Sequence, residues 1–558
     1  MVRAFAVLIM VEAMAAAACA AATGAKVSSD VSIPQVVRID SDIQSGWKES
    51  EIVPSAPATD EEFCRRVFLD LLGRIPTVDE LRSYTSDRRS DRKWRLVQRL
   101  LYTDEYTIDF ADHWSTIWAN LLVGRANDQR RNSPVDRPGL EKYLRDSFAQ
   151  NTPYDQFARE LIAAVGTNRP GNDKFNGAVN FLAGKLDDNA TQATAQTAKI
   201  FLGMQVQCTQ CHNHPFNEWK QNQFWQLNAF FRQATALRRF KQGSRDVDYF
   251  ELANQDFGGE DRPMDAENAR IYYELRNGRL EAAFPVFVDG TAIGRSGYIA
   301  ETDRRSELSK LIVQSPNFSR AIVNRLWAHF LGYGFTRPVD DMGPHNPPVH
   351  PELLDYLAEQ TRENSFDLRQ LMSWIVMSEA YALSSRTTSR NESDDPASGQ
   401  PPRFSHFYVR QMTAEQLYRS LLVASQADHT QGSLAQQQAA RREWLRQFSI
   451  AFGTDEGDET TTFDGTITQT LMMFNGELIK QATGGAPGSF LHRIANDGRI
   501  KSQAKVQQLT LAALARPADS REIKAYQMLL GYHQQDELAA LQDIWWALLN
   551  SNEFILNH

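Results

Sequence analysis

Cysteine is scarce: the 558 residues hold four, at positions 19, 64, 208 and 211, too few for a disulfide scaffold. Stability therefore has to come from packed apolar cores. Positive charge is in deficit as well, since 60 lysines and arginines face 69 aspartates and glutamates and leave a formal charge of −9. No global basic field exists to attract nucleic acid by counterion release, and the short basic stretch from Arg238 to Lys241 does not supply one, so no nucleic acid partner is expected. Uninterrupted apolar runs of the ~20 residues needed to cross a bilayer are missing, so no transmembrane span is expected in the mature chain. Glycine-rich phosphate loops, Gly-x-Ser-x-Gly elbows and His-Glu-x-x-His helices are missing too, which removes the standard nucleotide and hydrolase signatures.

What is present is ordinary globular composition, 42% hydrophobic and 23% charged, in a chain too long for one core. Residues 1–22 read as a signal peptide: Arg3 gives the positive start, an apolar run begins at Ala4, and small residues continue to Ala22. An exported protein, periplasmic or associated with the cell envelope, is expected. Ala16-Ala17-Ala18-Cys19 offers an alternative, a lipid anchor on Cys19. Residues 23–57 are polar and aperiodic and suit an extended lead-in.

The fold class expected is mainly α, with two helical domains and a small β-containing insertion or linker between them. Phe63, Val67, Phe68, Leu71 and Leu72 recur at helical spacing, Thr77-Val-Asp-Glu80 forms a capping box, and Trp94 to Leu101 and Phe110 to Leu122 mark further helices. These place a helical domain over 58–235. Over 236–302 the periodicity weakens, and Phe284-Pro-Val-Phe-Val288 reads as a short strand within a linker. Helical patterning then resumes over 303–558, where Pro351 fits a first helical position and the Ser/Arg/Asp/Pro-rich stretch Ser384 to Pro402 reads as a mobile surface loop.

The chain also echoes itself. Leu72-Gly-Arg-Ile-Pro-Thr77-x-x-Glu80 matches Leu514-Ala-Arg-Pro-Ala-Asp519-x-x-Glu522, and Leu100-Leu-Tyr-Thr-Asp-Glu-Tyr106 matches Leu548-Leu-Asn-Ser-Asn-Glu-Phe554, with Ile375-Val-Met-Ser-Glu-Ala-Tyr381 a looser copy. Repeated helical hairpins and convergent capping chemistry both account for this.

The sharpest chemical signal is Cys208-Thr-Gln-Cys211-His212. Two thiols at this spacing reach the two vinyl groups of one porphyrin, and the adjacent imidazole ligates its iron from one face. The preceding segment is expected to be helical and to continue through the motif. Trp219, Phe224, Trp225, Phe230 and Phe231 follow and are candidates either to wrap a haem c or simply to pack a core. Two other uses of the motif stay open: a metal such as zinc with His214 and a distant ligand, and a 208/211 disulfide. Candidates for a second axial ligand are His113 and Met204. Outside the motif, Asp340-Asp341-Met-Gly-Pro-His345-Asn-Pro-Pro-Val-His350 gathers acids and imidazoles on a proline-stiffened loop, so Asp341, His345 and His350 are candidate ligands of a hydrolytic metal. The competing reading makes His350 a helix cap. Asp455-Glu-Gly-Asp-Glu459 is a candidate calcium site or a solvated acidic turn.

Phe63-Cys-Arg-Arg-Val-Phe-Leu-Asp-Leu-Leu-Gly-Arg-Ile-Pro-Thr, Asp112-His-Trp114, Asn151-Thr-Pro-Tyr-Asp-Gln-Phe157 and the segment Phe201 to Phe216 resemble the N-terminal domain of the planctomycete cytochrome-like secreted proteins. Asp303-Arg-Arg305, Arg320-Ala-Ile-Val-Asn-Arg-Leu-Trp327, His350-Pro-Glu-Leu-Leu-Asp355 and Ala547 to Phe554 resemble its partner domain. The resemblance implies a pair of domains of unknown function, a cytochrome label resting on the same Cys-x-x-Cys-His motif, and no assigned catalytic residue. The leading expectation is an exported protein with a single haem c on Cys208, Cys211 and His212 and an unidentified redox partner. The alternatives are a cofactor-free binding or scaffold protein with a 208/211 disulfide, and a metal-dependent hydrolase.

Overall fold

A computed structural model describes residues 32–124, 133–452, 472–474 and 476–558. The signal peptide, the Cys19 anchor and the acidic segment 455–459 lie outside the described residues. The architecture is mainly α, and the sheets among the described residues have only two or three strands. The chain runs through α1 (Pro34–Glu49), α2 (Asp60–Leu72), α3 (Val78–Ser86), α4 (Arg92–Tyr102), α5 (Asp104–Val123), α6 (Arg137–Ala149), α7 (Tyr154–Ile162), α8 (Asn180–Ala183), α9 (Thr191–Leu202) and α10 (Gln221–Asn228). After a β region come α11 (Arg304–Gln314), α12 (Pro316–Leu331), α13 (Pro351–Glu363) and α14 (Leu368–Met377). The chain continues with α15 (Ala414–Ser425), α16 (Leu434–Phe452), α17 (Glu477–Thr483), α18 (Phe490–Asn496), α19 (Ser502–Leu514), α20 (Ser520–Tyr532), α21 (Glu537–Leu549) and α22 (Asn552–Ile555).

The β region is larger than the sequence pattern implies. β1 (Gly166–Thr167), β2 (Ala234–Phe240) and β3 (Val247–Asn254) form an antiparallel sheet in the order β1-β3-β2, and β4 (Ile271–Glu274) pairs with β5 (Leu280–Ala283). The hairpin β2–β3 escapes a hydrophobic reading because Arg238, Arg239 and Phe240 are all exposed, so no apolar alternation marks the strand. The strand expected at 284–288 does not form: Val286 makes only an isolated bridge to Ala292, and Pro285 removes a ladder donor. Farther on, β6 (Arg410–Gln411) pairs with β7 (Leu556–Asn557) and brings the C-terminus back to the middle of the chain.

The apolar interior is partitioned differently from the sequence segments. One cluster gathers residues from Ile39 to Tyr408 together with Ala515, and a second draws on residues from Met412 to Ile555 and includes Leu69 and Ile75. Helix α2 lies between them, with Phe68 in the first cluster and Leu69 in the second, which is why it is buried on every side. Its two consecutive arginines point to different elements. Arg65 donates to the carbonyls of Ala513 (2.9 Å) and Phe554 (2.8 Å), while Arg66 donates to those of Tyr381 and Leu383 and lies 3.6 Å over the Phe407 ring. One turn on, Asp70 accepts from Arg410, Tyr381 Oη and Asn557 Nδ2, each at 2.8 Å.

The internal echoes extend to backbone geometry. Helices α2, α12 and α19 all end on a left-handed residue, Gly73 (φ 70°), Gly332 (φ 87°) and Ala515 (φ 56°). Two helices later each copy breaks at an extended Thr103, Ser378 or Ser551 and buries an aromatic three residues on: Tyr106, Tyr381 or Phe554. The first and last copies also share a clamp. Arg74 holds Glu80 (2.9 Å) and Asp109 (2.7 Å), and Arg516 holds Glu522 (2.9 Å) and Glu553 (2.5 Å).

Two other expectations are corrected. Residues 384–402 are anchored at two buried points: Asn391 and Asp394 are buried, and Asp394 accepts from Ser405 N (2.9 Å), Ser405 Oγ (2.7 Å), Tyr408 Oη (2.6 Å) and Arg403 N (2.9 Å). Polar side chains do there what an apolar period does in a helix. The lead-in expected to be extended contains α1, whose apolar stripe is only Ile39, Ile43 and Trp47, too narrow to stand out from its polar surroundings.

Helix α1 docks on α13 and α14 through a pair of carboxylates. Asp40 accepts from Glu379 N (2.7 Å), and Gln44 donates to Glu379 Oε2 (2.5 Å). Burial pushes the Asp40 carboxyl up to about 6, against the Glu379 N–H bond that lowers it and with the Glu379 charge adding to the rise. The native state thus holds this proton more tightly than the unfolded chain, whose carboxyl titrates at the ordinary 3.8. The resulting stability is fully present below pH 3.8 and is lost as the pH rises through about 6. Asp40→Asn keeps an acceptor without a charge, so at pH 7 it should stabilise the fold by about 2 kcal/mol and flatten the pH profile between about 4 and 6. Denaturant titrations across that range check this, and an unchanged profile in the variant would refute it.

Candidate functional site

The Cys-x-x-Cys-His motif sits on a short turn, not on a continuing helix. Helix α9 ends at Gly203, left-handed at φ 64°, a conformation that favours glycine, with the Met342 side chain packed against it. Residues Gln207–Gln210 then form one turn of 3₁₀ helix. Thr209 is fully buried and donates its hydroxyl to Val206 O (2.6 Å), which pins the turn and leaves Cys208 and Cys211 on its outer side, both exposed and both free thiols.

Helix α10 fixes the rest of the turn. The Gln210 carbonyl accepts from Trp225 Nε1 (3.0 Å) and Gln221 Nε2 (3.2 Å), and Asn213 Oδ1 accepts from Gln221 N (3.0 Å). Gln221 also donates to Glu274 O (2.9 Å), and Trp225 stacks on Tyr273 with rings 5.9 Å apart, so β4 buttresses the same residues. Nothing in the sequence singles out Gln221 or Tyr273. Their roles come from long-range packing.

The two imidazoles of the motif have different tautomers. His212 Nδ1 lies 2.7 Å from Asn213 O and must donate to that carbonyl, which leaves Nε2 with a free lone pair, the form that ligates a metal. His214 Nδ1 instead accepts from Phe216 N (3.2 Å) and Asn217 N (3.1 Å), so its proton is on Nε2 and the ring caps a turn. This arrangement removes His214 as a ready ligand. The aromatic wrapping does not assemble either: Phe224, Phe230 and Phe231 are buried in the core, and Trp219 and Trp225 are half-buried. The axial candidates fail for similar reasons. Met204 is buried with its sulfur 3.8 Å from Asn317 Nδ2. His113 packs between Trp114 and His329, and burial, aided by the His329 ring, holds its pKa well below the ordinary imidazole range.

The loop from Asp340 to His350 lands beside this turn, and its imidazoles diverge. Asp340 pairs with Lys199 (3.2 Å) and accepts from Gln205 (2.7 Å), and Met342 N donates to Gly203 O (2.8 Å). His345 Nε2 donates to Asp341 Oδ1 (2.9 Å), and its ring lies 6.4 Å from that of His214. His350 turns away, wedged against Gly46 of α1 and beside Phe404, and makes no capping hydrogen bond to α13. Asp341, His345 and His350 therefore do not form one ligand set, and among the described residues no three His, Cys, Asp or Glu side chains converge to hold a bare ion. No helix among the described residues is long and apolar enough to cross a membrane.

Fold and site together define a mainly helical protein of two paired segments, with an exposed dithiol and imidazole on the first. Residues 38–236 match the family PSCyt2, described as a protein of unknown function (DUF1549), and residues 304–530 match PSD1, also described as a protein of unknown function (DUF1553). The chain carries the paired N-terminal and C-terminal domains of these families. The first match begins at residue 38, inside α1. No curated protein and no solved structure matches the chain.

Proposed function

We propose that the protein is exported and carries one haem c on Cys208, Cys211 and His212 for electron exchange with a protein partner. The observation that carries this reading is the pairing of two exposed free thiols with an imidazole whose Nδ1–H is given to Asn213 O. Attachment needs no oxidant: each thiol S–H adds across a vinyl C=C, sulfur to one carbon and hydrogen to the other. Haem, once attached, supplies a one-electron couple. The protein's part is to hold the thiols apart with buried Thr209, to orient His212, and to leave the site open. A porphyrin brings four nitrogen donors of its own, so only axial ligands are required of the chain, and the lack of a three-ligand cluster among the described residues counts against a bare ion there without counting against haem. With Phe224, Phe230 and Phe231 committed to the core, the setting is solvent-facing, which suits contact with a partner better than enclosed catalysis.

The test is expression of the full chain in a host with haem-maturation machinery. Wild type should show a Soret band that survives denaturation. Cys208→Ser and Cys211→Ser together should abolish it while leaving the helical circular dichroism unchanged. A colourless wild-type protein, or one with a 208/211 disulfide, overturns the reading.

A further inference from the structure

We infer that the cleft between the start of α1, α4 and α14 binds one neutral sugar ring, a pyranose whose hydroxyls meet amide and hydroxyl side chains. The cleft encloses about 310 Å³ and is lined by Ile33, Gln98, Tyr102, Gln370, Ser373 and Trp374. That size lies at the small end of the ~300–1,000 Å³ usual for ligand sites, which suits a single ring with its waters. Helix α4 falls in the PSCyt2 match and α14 in the PSD1 match, so both paired segments build the cleft. None of the lining residues belongs to the Cys208 turn, and sugar binding therefore neither requires nor excludes haem.

The lining selects against charge. Its one ionisable group is the Tyr102 hydroxyl, which burial and the nearby Asp367 charge push well up, so it stays protonated. The charges on the neighbouring turn are committed: Arg369 donates to Phe148 O (2.7 Å), and Asp367 caps α14 by accepting from Arg369 N (2.9 Å) and Gln370 N (3.2 Å). A carboxylate or phosphate would enter without a cation, and an ammonium without an anion. An apolar ligand would strand the glutamine amides. Hydroxyls both donate and accept, as Gln98, Gln370, Ser373 and Tyr102 together do. Gln98 Nε2 lies 3.3 Å from Ser373 Oγ, and the Gln370 side-chain amide has no partner among the described residues, so it can turn to a ligand. Tyr102, 42% exposed, is the ring left open for the C–H face of a sugar, while Trp374, 5% exposed, backs the cleft.

Titration calorimetry of the full chain with glucose, galactose, mannose and N-acetylglucosamine, each alone, tests this. At least one should bind saturably, and Gln370→Ala and Tyr102→Ala should each weaken it by about tenfold or more with the circular dichroism unchanged. Tyr102→Phe keeps the ring and should lose less than Tyr102→Ala, which guards against misfolding of the alanine variant. The uronate and amino counterparts of the bound sugar should bind about tenfold more weakly for want of a counter-charge. Its methyl glycoside separates two sources of the ring: equal binding marks a residue of a glycan, and lost binding marks the free sugar. No saturable binding of any of the four up to about 50 mM overturns the inference. So does an affinity that is the same in wild type and both alanine variants, or a uronate that binds as tightly as its neutral parent.

Discussion

Replacing Asp70 by alanine should cost about 3–5 kcal/mol of stability, the penalty for leaving a buried charge without its partner. The carboxylate is 1% exposed and accepts from Arg410, Tyr381 and Asn557 at once, so four stretches of chain meet on it: α2, the turn after α14, β6 and β7. Its removal strands the Arg410 guanidinium, which is mostly buried and, among the described residues, pairs with no other carboxylate. Arg66 lies one turn earlier and binds the carbonyls of Tyr381 and Leu383, so the damage should spread along the seam between the two cores. Asp70→Asn should lose less, because one oxygen still accepts from Tyr381 or Asn557. Chemical denaturation of the three proteins gives the ranking, and a loss below about 1 kcal/mol for Asp70→Ala would place it among ordinary surface changes and refute the claim.

Asp70 illustrates what a sequence hides. The period of Phe63, Val67, Phe68, Leu71 and Leu72 makes α2 legible, and the capping box at Thr77 makes α3 legible, because both signals lie within a few residues. An aspartate inside such a helix reads as a solvated position until residues 340 and 487 places farther along fold back on it. The candidate site divides the same way. Spacing alone identifies Cys208, Cys211 and His212. Whether Phe224, Phe230 and Phe231 face a ligand or a core depends on packing, and they face the core. His345 and His350 look equivalent on one loop, yet Asp341 holds the first toward the motif while Gly46 makes room for the second beneath α1. No local pattern separates them. Helix α1 was hidden for a different reason: three buried residues in sixteen leave a weak period, and the helix depends on its partners α13 and α14.

Arg304→Met should weaken the β region by about 2–3 kcal/mol, less than the sum over its lost bonds because a desolvated charge leaves with them. Arg304 is buried without a carboxylate, and burial pushes its guanidinium down to about 10, still protonated at neutral pH. Its donors go to carbonyls: Ala229 (3.1 Å), Ala269 (2.8 Å), Arg295 (3.1 Å) and Ser296 (3.4 Å). Those carbonyls flank β4 and β5, so methionine would fill the space and leave them without a donor. Arg305 points elsewhere, to Ile162 O, Ala164 O and Asn254 Oδ1, and stays as an internal control. Amide exchange in β4 and β5 should therefore rise by about 30-fold to 100-fold while α7 is unaffected, at 1.4 kcal/mol per tenfold. Because Tyr273 stacks on Trp225 and Glu274 O accepts from Gln221, residues 207–214 should exchange faster as well. If β4 loosens and the motif does not, helix α10 alone holds the thiols in place, and the β region is a neighbour of the site with no part in its geometry.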